Sequence, residues 1–420
     1  MYKATRLDNG LTVASIEMPH MASVSVGIWV GVGGRHEPAP VSGVSHFIEH
    51  LLFKGTKKRT AREISQAVEG IGGYLNAYTS EEHTCFYAKA RHDHLDDLLE
   101  VLADMFLHSK FDPGEIDKER DVIKEELAMY QDQPHQYVQE LLNAAMWPDQ
   151  ALGRSITGTV KTLDAITRAT LQDYQRKNYV TGAIVIAAAG QLRHGQFLKA
   201  AKKFARHFVP GPRTSYVPAT AAQTRPSVLL HTKQTEQTQI ALGFRACSRH
   251  DPRRFAVRVL NAILGENMSS RLFQTIREEQ GLAYSIYSAN SFFDDTGDLV
   301  ISAGLDLGNL KKTLNLITRE LKRFRETLVT TAELRRAADY LAGQIDLSLE
   351  NSENQMMWAG EQWLGYGKIF PPAQVKKRLG EVKASEVRAA ARDFFRTDRA
   401  TLALISPLKS AAGLDKLLVA

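Results

Sequence analysis

Residues 44–56 read VSHFIEHLLFKGT and set His46, Glu49 and His50 within five positions, among Val, Phe, Ile and Leu. Two histidines four apart on a helix stand one above the other and can hold a single divalent ion between them. Glu49 projects alongside. Two imidazoles are only half of a metal site, and the competing reading is a helix with a polar outer face. The choice turns on whether the chain supplies a third ligand.

The apolar pattern predicts a helix over 42–54. Val44, Phe47, Ile48, Leu51 and Leu52 form one continuous stripe, and His46, Glu49, His50 and Phe53 fall opposite it. A second helix is predicted over 112–130, DPGEIDKERDVIKEELAMY, with Asp112 as N-cap, Pro113 at the first helical position and Glu115 completing a capping box. Its stripe is Ile116, Val122, Ile123, Leu127 and Tyr130, and Glu119 and Glu126 sit inside that stripe. Carboxylates on a buried face are costly unless a cation or a donor compensates them. A cationic site at His46 and His50 would remove that cost and gain an anionic ligand, so this helix is where the third ligand is sought.

At 420 residues the chain exceeds the size at which one core stops growing, so two domains are expected. The segment 209–226, VPGPRTSYVPATAAQTRP, carries four prolines and reads as a linker between domains at 1–208 and 227–420. Each half opens with short strands (VSVGIWV at 24–30, TQIALGF at 238–244). A helix, a two-stranded region (73–90, 282–304) and an amphipathic helix (94–106, 308–324) follow in turn. The repeat of that order suggests a duplication. Strands and helices mix without strict β-α-β alternation, so the fold class is α+β. The start, MYKATRLDNGLTV, reads as a hairpin turning at Asn9-Gly10.

Composition excludes several function classes. The chain is 44% hydrophobic and 24% charged, ordinary for a globular protein. Its net charge of +6 is spread along the chain, and the longest basic cluster, Lys57-Lys58-Arg59, reads as a solvated loop, so no nucleic-acid partner is expected. No apolar run is long enough to span a membrane and no apolar leader opens the chain, so no membrane association is expected. Cys85 and Cys247 fall in different expected domains and neither belongs to a C-x-x-C pair, which favours a reduced, cytoplasmic protein without a disulfide. GVGGRHE (31–37) lacks the phosphate-loop pattern and reads as a turn, and His92 and His94 read as surface.

The order His-x-x-Glu-His marks the inverzincins, and the chain resembles the pitrilysin/insulinase family of zinc metallopeptidases, most of all the bacterial relatives of the mitochondrial processing peptidase. The likeness runs through HFIEHLLFKGT, GGYLNAYTSEEHT, ERDVIKEE, ALGRSITGT, SSRLFQTIREEQGLAYSIYS and the helical stretch 332–366, nearly the whole chain. It implies two homologous domains, each a mostly antiparallel sheet packed with helices, forming half of a clam-shaped chamber. It also implies a zinc-dependent endopeptidase acting on peptides or unfolded polypeptide. The family's third ligand falls on Glu126, 76 residues after His50. With one Zn2+ per chain, His46, His50 and Glu126 make an N,N,O set with one position open, as catalytic zinc has. Glu49 would take a proton from the attacking water and hand it to the leaving amine. Glu119 would accept a hydrogen bond from a ligand histidine.

Asn76 and Ala77, on the strand GGYLNAYTS, match positions that contact an extended substrate added to the sheet edge. Arg277 and Tyr284 match a pair that stabilises the oxyanion. In four-domain relatives that pair faces the zinc from the later half. A homodimer, or a heterodimer with an inactive homologue, is therefore expected, with Arg277 and Tyr284 of one protomer completing the other's site. Gly265 stands alone in LGENMSSRL, where the processing peptidase's inactive subunit has a glycine-rich loop, so presequence recognition of that kind is not expected. Glu81 and Glu82 beside the edge strand would favour basic substrates. The alternative is a non-catalytic assembly subunit of a heterodimer, and the intact His46, Glu49, His50 and Glu126 argue against it.

Overall fold

The structure, a computed structural model, describes residues 2–418. Its strands are β1 (Tyr2–Arg6), β2 (Thr12–Glu17), β3 (Ser23–Val30), β4 (Tyr74–Thr79), β5 (Thr84–Arg91) and β6 (Ile184–Gly190), then β7 (Ser227–Thr232), β8 (Thr238–Ala246), β9 (Ala283–Phe292), β10 (Gly297–Leu305) and β11 (Thr401–Ser406). β1 and β2 form the expected hairpin, with Gly10 at φ +92° and the Asn9 side chain accepting from the Leu11 N–H at 3.2 Å.

The first six strands make one sheet in the order β1-β2-β6-β3-β5-β4, in which only β2 and β6 run parallel. The rest make a second sheet, β7-β11-β8-β10-β9, in which only β7 and β11 run parallel. Apart from β1, the second sheet repeats the first strand for strand and direction for direction. The α+β class and the two mostly antiparallel domains are as expected, and the shared topology supports duplication.

The centre of the first sheet, β2, β6 and β3, is buried on both faces. Along β3, Val24, Val26, Ile28 and Val30 turn to one side and pack with Phe47, Ile48, Leu51 and Leu52 and with the helix Leu95–His108. Trp29 turns to the other side and meets Met356 and Ala359. A strand covered on both faces has no solvated side, which is why VSVGIWV carries no charged residue.

The single boundary expected at 209–226 needs correction. That stretch holds no helix or strand from Pro210 to Pro226 and contains one crossing, at Val217/Pro218, but the compact units exchange further segments. One unit comprises the residues up to Ala128, Arg154–Val217 and Leu347–Pro371; the other comprises Met129–Gly153, Pro218–Asp346 and Pro372 onward. The helix Pro134–Met146 therefore packs Val138, Leu142 and Met146 on Ala241, Ala403 and Ile405 of the second sheet. The helix Ser352–Tyr366 covers the first sheet. Helical periodicity shows that each has an apolar stripe but not which sheet the stripe will cover.

Glycines make these contacts close. A Cβ on Gly360 would lie 2.2 Å from the Trp29 ring, and one on Gly243 would lie 2.4 Å from the Met146 sulfur. Gly360→Ala should therefore destabilise the protein by about 1–3 kcal/mol through overpacking against a rigid ring. Gly343→Ala, in the helix Thr331–Ser348 where nothing lies within 4 Å, should stabilise it by about 0.5–1 kcal/mol. Equilibrium urea unfolding of the two variants should move in opposite directions.

Candidate metal centre

The motif helix spans Val44–Leu52, and its five predicted stripe residues are each no more than 1% exposed. That burial fixes the rotation of the helix and turns His46, Glu49 and His50 to the other side. The second helix spans Pro113–Gln131, with the Asp112 carboxylate accepting from the Gly114 and Glu115 N–H groups at 2.9 and 3.3 Å. Glu115 pairs with Lys118 at 2.7 Å. Ile116, Glu119, Ile123 and Leu127 are buried, whereas Val122, assigned to the stripe from sequence, is 43% exposed. Its neighbour Ile123 takes the inward direction.

The two helices bring the predicted ligands together. His46 Nε2 lies 3.8 Å and His50 Nε2 3.5 Å from one carboxylate oxygen of Glu126. Among the described residues this is the one group of three or more His, Cys, Asp or Glu side chains whose ligand atoms all lie within 4.8 Å of one another. Metal–ligand bonds of about 2.0–2.1 Å at tetrahedral angles put neighbouring donors roughly 3.3–3.5 Å apart. The donor set and its spacing fit zinc with one position left open.

Glu119 shapes one of these ligands. Its carboxylate, 4% exposed, accepts from His50 Nδ1 at 3.0 Å and from Lys54 Nζ at 2.8 Å. A proton held on Nδ1 leaves the Nε2 lone pair facing Glu126. Burial, then the neighbouring His50, pulls the His46 pKa down to about 3, which keeps that ring in its neutral, ligating form. Burial pushes the Glu49 carboxyl upward, while a 2.6 Å hydrogen bond from Thr79 Oγ1 pulls the other way. Such a carboxyl is better matched to proton transfer near neutral pH than a fully solvated one.

Asn76 and Ala77 lie on β4, the last strand of the first sheet, so one edge of the strand is unpaired. Asn76 is exposed, and its side-chain oxygen accepts from the Ala77 N–H at 2.8 Å. Thr79 ends the same strand. Arg277 and Tyr284 belong to the second unit and form a pair of their own. Arg277 lies in a π-helical turn, Phe273–Glu278, with its guanidinium 5.9 Å from the ring centre of Tyr284 on the edge strand β9.

Lys54 and Thr79 are contacts the sequence reading missed. Lys54 stands one turn beyond His50, a placement that could have signalled the ion pair. Thr79 carried no signal, because hydroxyls are common on strands. Glu82 is buried in an ion pair with Arg35 at 2.7 Å, so it is no free acidic determinant beside the edge strand. The loop 31–37 is a turn, with Gly34 and Arg35 donating to the Ser80 and Glu81 carbonyls at 3.1 and 2.7 Å. Cys85 and Cys247 are free and buried. No helix among the described residues is long and apolar enough to cross a membrane.

Two substitutions separate ligand from support. Glu126→Ala should abolish stoichiometric zinc retention, and Glu119→Gln should weaken zinc binding by about 10–100-fold. Competition with a chromophoric chelator checks both.

Residues 12–160 match the family described as Insulinase (Peptidase family M16), and residues 165–341 match Peptidase M16 inactive domain. The chain is 37% identical to the uncharacterized zinc protease YmxG of Bacillus subtilis, over 97% of this chain and 98% of that one. It is 36% identical to the uncharacterized zinc protease ML0855 of Mycobacterium leprae, over 98% and 93%. The crystal structure of a protease from Helicobacter pylori shares the fold with a TM-score of 0.90 at 21% identity, over 97% of this chain and 100% of that one. The chain belongs to peptidase family M16, the insulinase family.

Proposed function

We propose that the chain is a zinc-dependent endopeptidase that hydrolyses peptides or unfolded polypeptide segments in an enclosed chamber. The observation that carries the reading is the convergence of His46, His50 and Glu126 beside a half-buried, hydroxyl-tethered Glu49. His46, His50 and Glu126 would hold a zinc ion, which when bound would supply Lewis-acid polarisation of the scissile carbonyl and a lowered pKa for water. Glu49 takes the proton of the attacking water and returns it to the leaving amine, while Thr79 holds the carboxylate in place. Glu119 keeps the proton of His50 on Nδ1. The free edge of β4 holds the substrate backbone at Asn76 and Ala77 through main-chain hydrogen bonds, which demand little of its sequence. The curated relatives' names, both zinc proteases, support the same reading.

Glu49→Gln should keep its zinc and lose about 10²–10⁴-fold in turnover of a fluorogenic peptide. Chelation should abolish wild-type activity and zinc should restore it. Full activity in the Gln variant would remove Glu49 from its role.

Arg277 and Tyr284 donate to the oxyanion in this reading, each from the partner protomer of a dimer. Tyr284→Phe alone should lower turnover by about 10²–10³-fold. If the pair acts across protomers of a homodimer, mixing Glu49→Gln with Tyr284→Phe rebuilds one intact site in each mixed dimer. About a quarter of wild-type activity should return. No recovery after subunit exchange would confine the pair to its own chain or remove it from the reaction.

A further inference from the structure

The motif helix begins without a cap of its own. Its N-cap residue is Gly43, at φ +94° and with no side chain to receive the first amides. The preferred capping residues, Ser, Thr, Asp and Asn, are excluded there for two reasons. The left-handed backbone disfavours a side chain, and a Cβ would lie 2.7 Å from the Thr157 carbonyl oxygen. A first turn left open in this way frays unless something else accepts its N–H groups.

Glu37 does so from outside the helix. One carboxylate oxygen accepts from the Gly43 N–H at 2.7 Å and the other from the Ser45 N–H at 2.8 Å. The residue is 4% exposed, and Arg154 donates to its backbone carbonyl. Burial pushes its carboxyl up to about 7 while the two amides pull it back. The loop 31–37, which reads as a bare turn from sequence, thus delivers an anion to a helix N-terminus, where the backbone dipole favours one.

The held turn is the one that carries His46, and His46 has no other guide. Glu119 fixes the His50 ring, but His46 Nδ1 is buried without a hydrogen-bond partner. Its ring direction rests on the backbone of its turn and on contact with the His50 ring, 4.6 Å away between centres. We infer that Glu37 is a positioning residue for the metal centre, doing for His46 through the backbone what Glu119 does for His50 through the side chain. This rests on the metal-centre reading above.

The test uses metal affinity and a spectrum rather than turnover. Glu37→Gln keeps the shape but sets an amide donor against a backbone donor, and Glu37→Asp keeps the charge with a shorter reach. Zinc affinity is measured on the full chain by competition with a chromophoric chelator. Cobalt-loaded protein then reports ligand geometry through its visible absorption. Leu341→Ala, buried in the second unit and not in the unit that holds the motif helix, serves as a variant of lowered stability.

The expected result is zinc affinity about tenfold weaker in Glu37→Gln. Its cobalt band should be diminished, Glu37→Asp should fall between it and the wild type, and Leu341→Ala should match the wild type. Wild-type affinity and spectrum in Glu37→Gln would overturn the inference. So would an equal loss in Leu341→Ala, which would make the effect one of global stability. Should Glu37→Gln fail to fold, the Asp variant decides by the same two readouts. Absence of zinc binding by the wild type would defeat the metal reading itself, and this inference with it.

Discussion

Carboxylates crowd one side of the motif helix with little fixed positive charge to balance them. Glu49 and Glu126 approach His46 and His50, and only Glu119 has a lysine, Lys54, bonded to it. Burial holds His46 neutral, so that imidazole gives no compensation. Anions gathered in a partly desolvated pocket cost free energy unless a cation sits among them. A divalent ion between His46, His50 and Glu126 meets that requirement. In the proposed reading, the helix rotation, the Glu119 hydrogen bond and the Glu37 cap would all serve to place its donors.

The second unit shows what the scaffold keeps when the ion is not needed. Its helix Arg254–Leu264 stands where the motif helix stands in the first, and the edge strand β9 corresponds to β4. There Asn261 receives a hydrogen bond from Ser288 at 2.7 Å, as Glu49 does from Thr79. The tie between helix and edge strand survives while the acid has become an amide. The helix Thr331–Ser348 buries Ala337, Leu341 and Ile345 at the spacing of Glu119, Ile123 and Leu127. A methyl group thus replaces the carboxylate that orients His50. With no cation to hold, a buried acid there would be a cost without a return.

How much could be read beforehand follows from which interactions are local. The stripe Val44, Phe47, Ile48, Leu51 and Leu52 is a property of one helix, so its period revealed the rotation and the polar side. The anomaly of Glu119 and Glu126 within an apolar stripe pointed to the helix that the structure brings beside His46 and His50, and the family resemblance chose Glu126. Val122 was misplaced because Ile123, one residue on, competes for the same inward direction. Non-local partners left no trace. Thr79 and Glu37 act across loops whose course periodicity does not reveal. The exchange of Pro134–Met146 and Ser352–Tyr366 depends on which sheet offers a glycine gap.

The Thr79 contact also joins the proposed base and the proposed substrate platform into one piece. Glu49 rides on the motif helix, and Asn76 and Ala77 ride on β4. Strand and helix meet through a hydroxyl three residues beyond Asn76. A peptide paired to that edge inherits the register of the strand, and the strand's register sets Thr79. In the proposed reading, the distance from a bound backbone to the Glu49 carboxylate would be set by a single 2.6 Å hydrogen bond and the β4–β5 ladder, not by a flexible loop. Proton transfer falls off steeply with misplacement, so mounting both partners on regular elements preserves geometry that loops would lose. On that proposal the substrate's own side chains need contribute nothing to the alignment, and little would be demanded of its sequence.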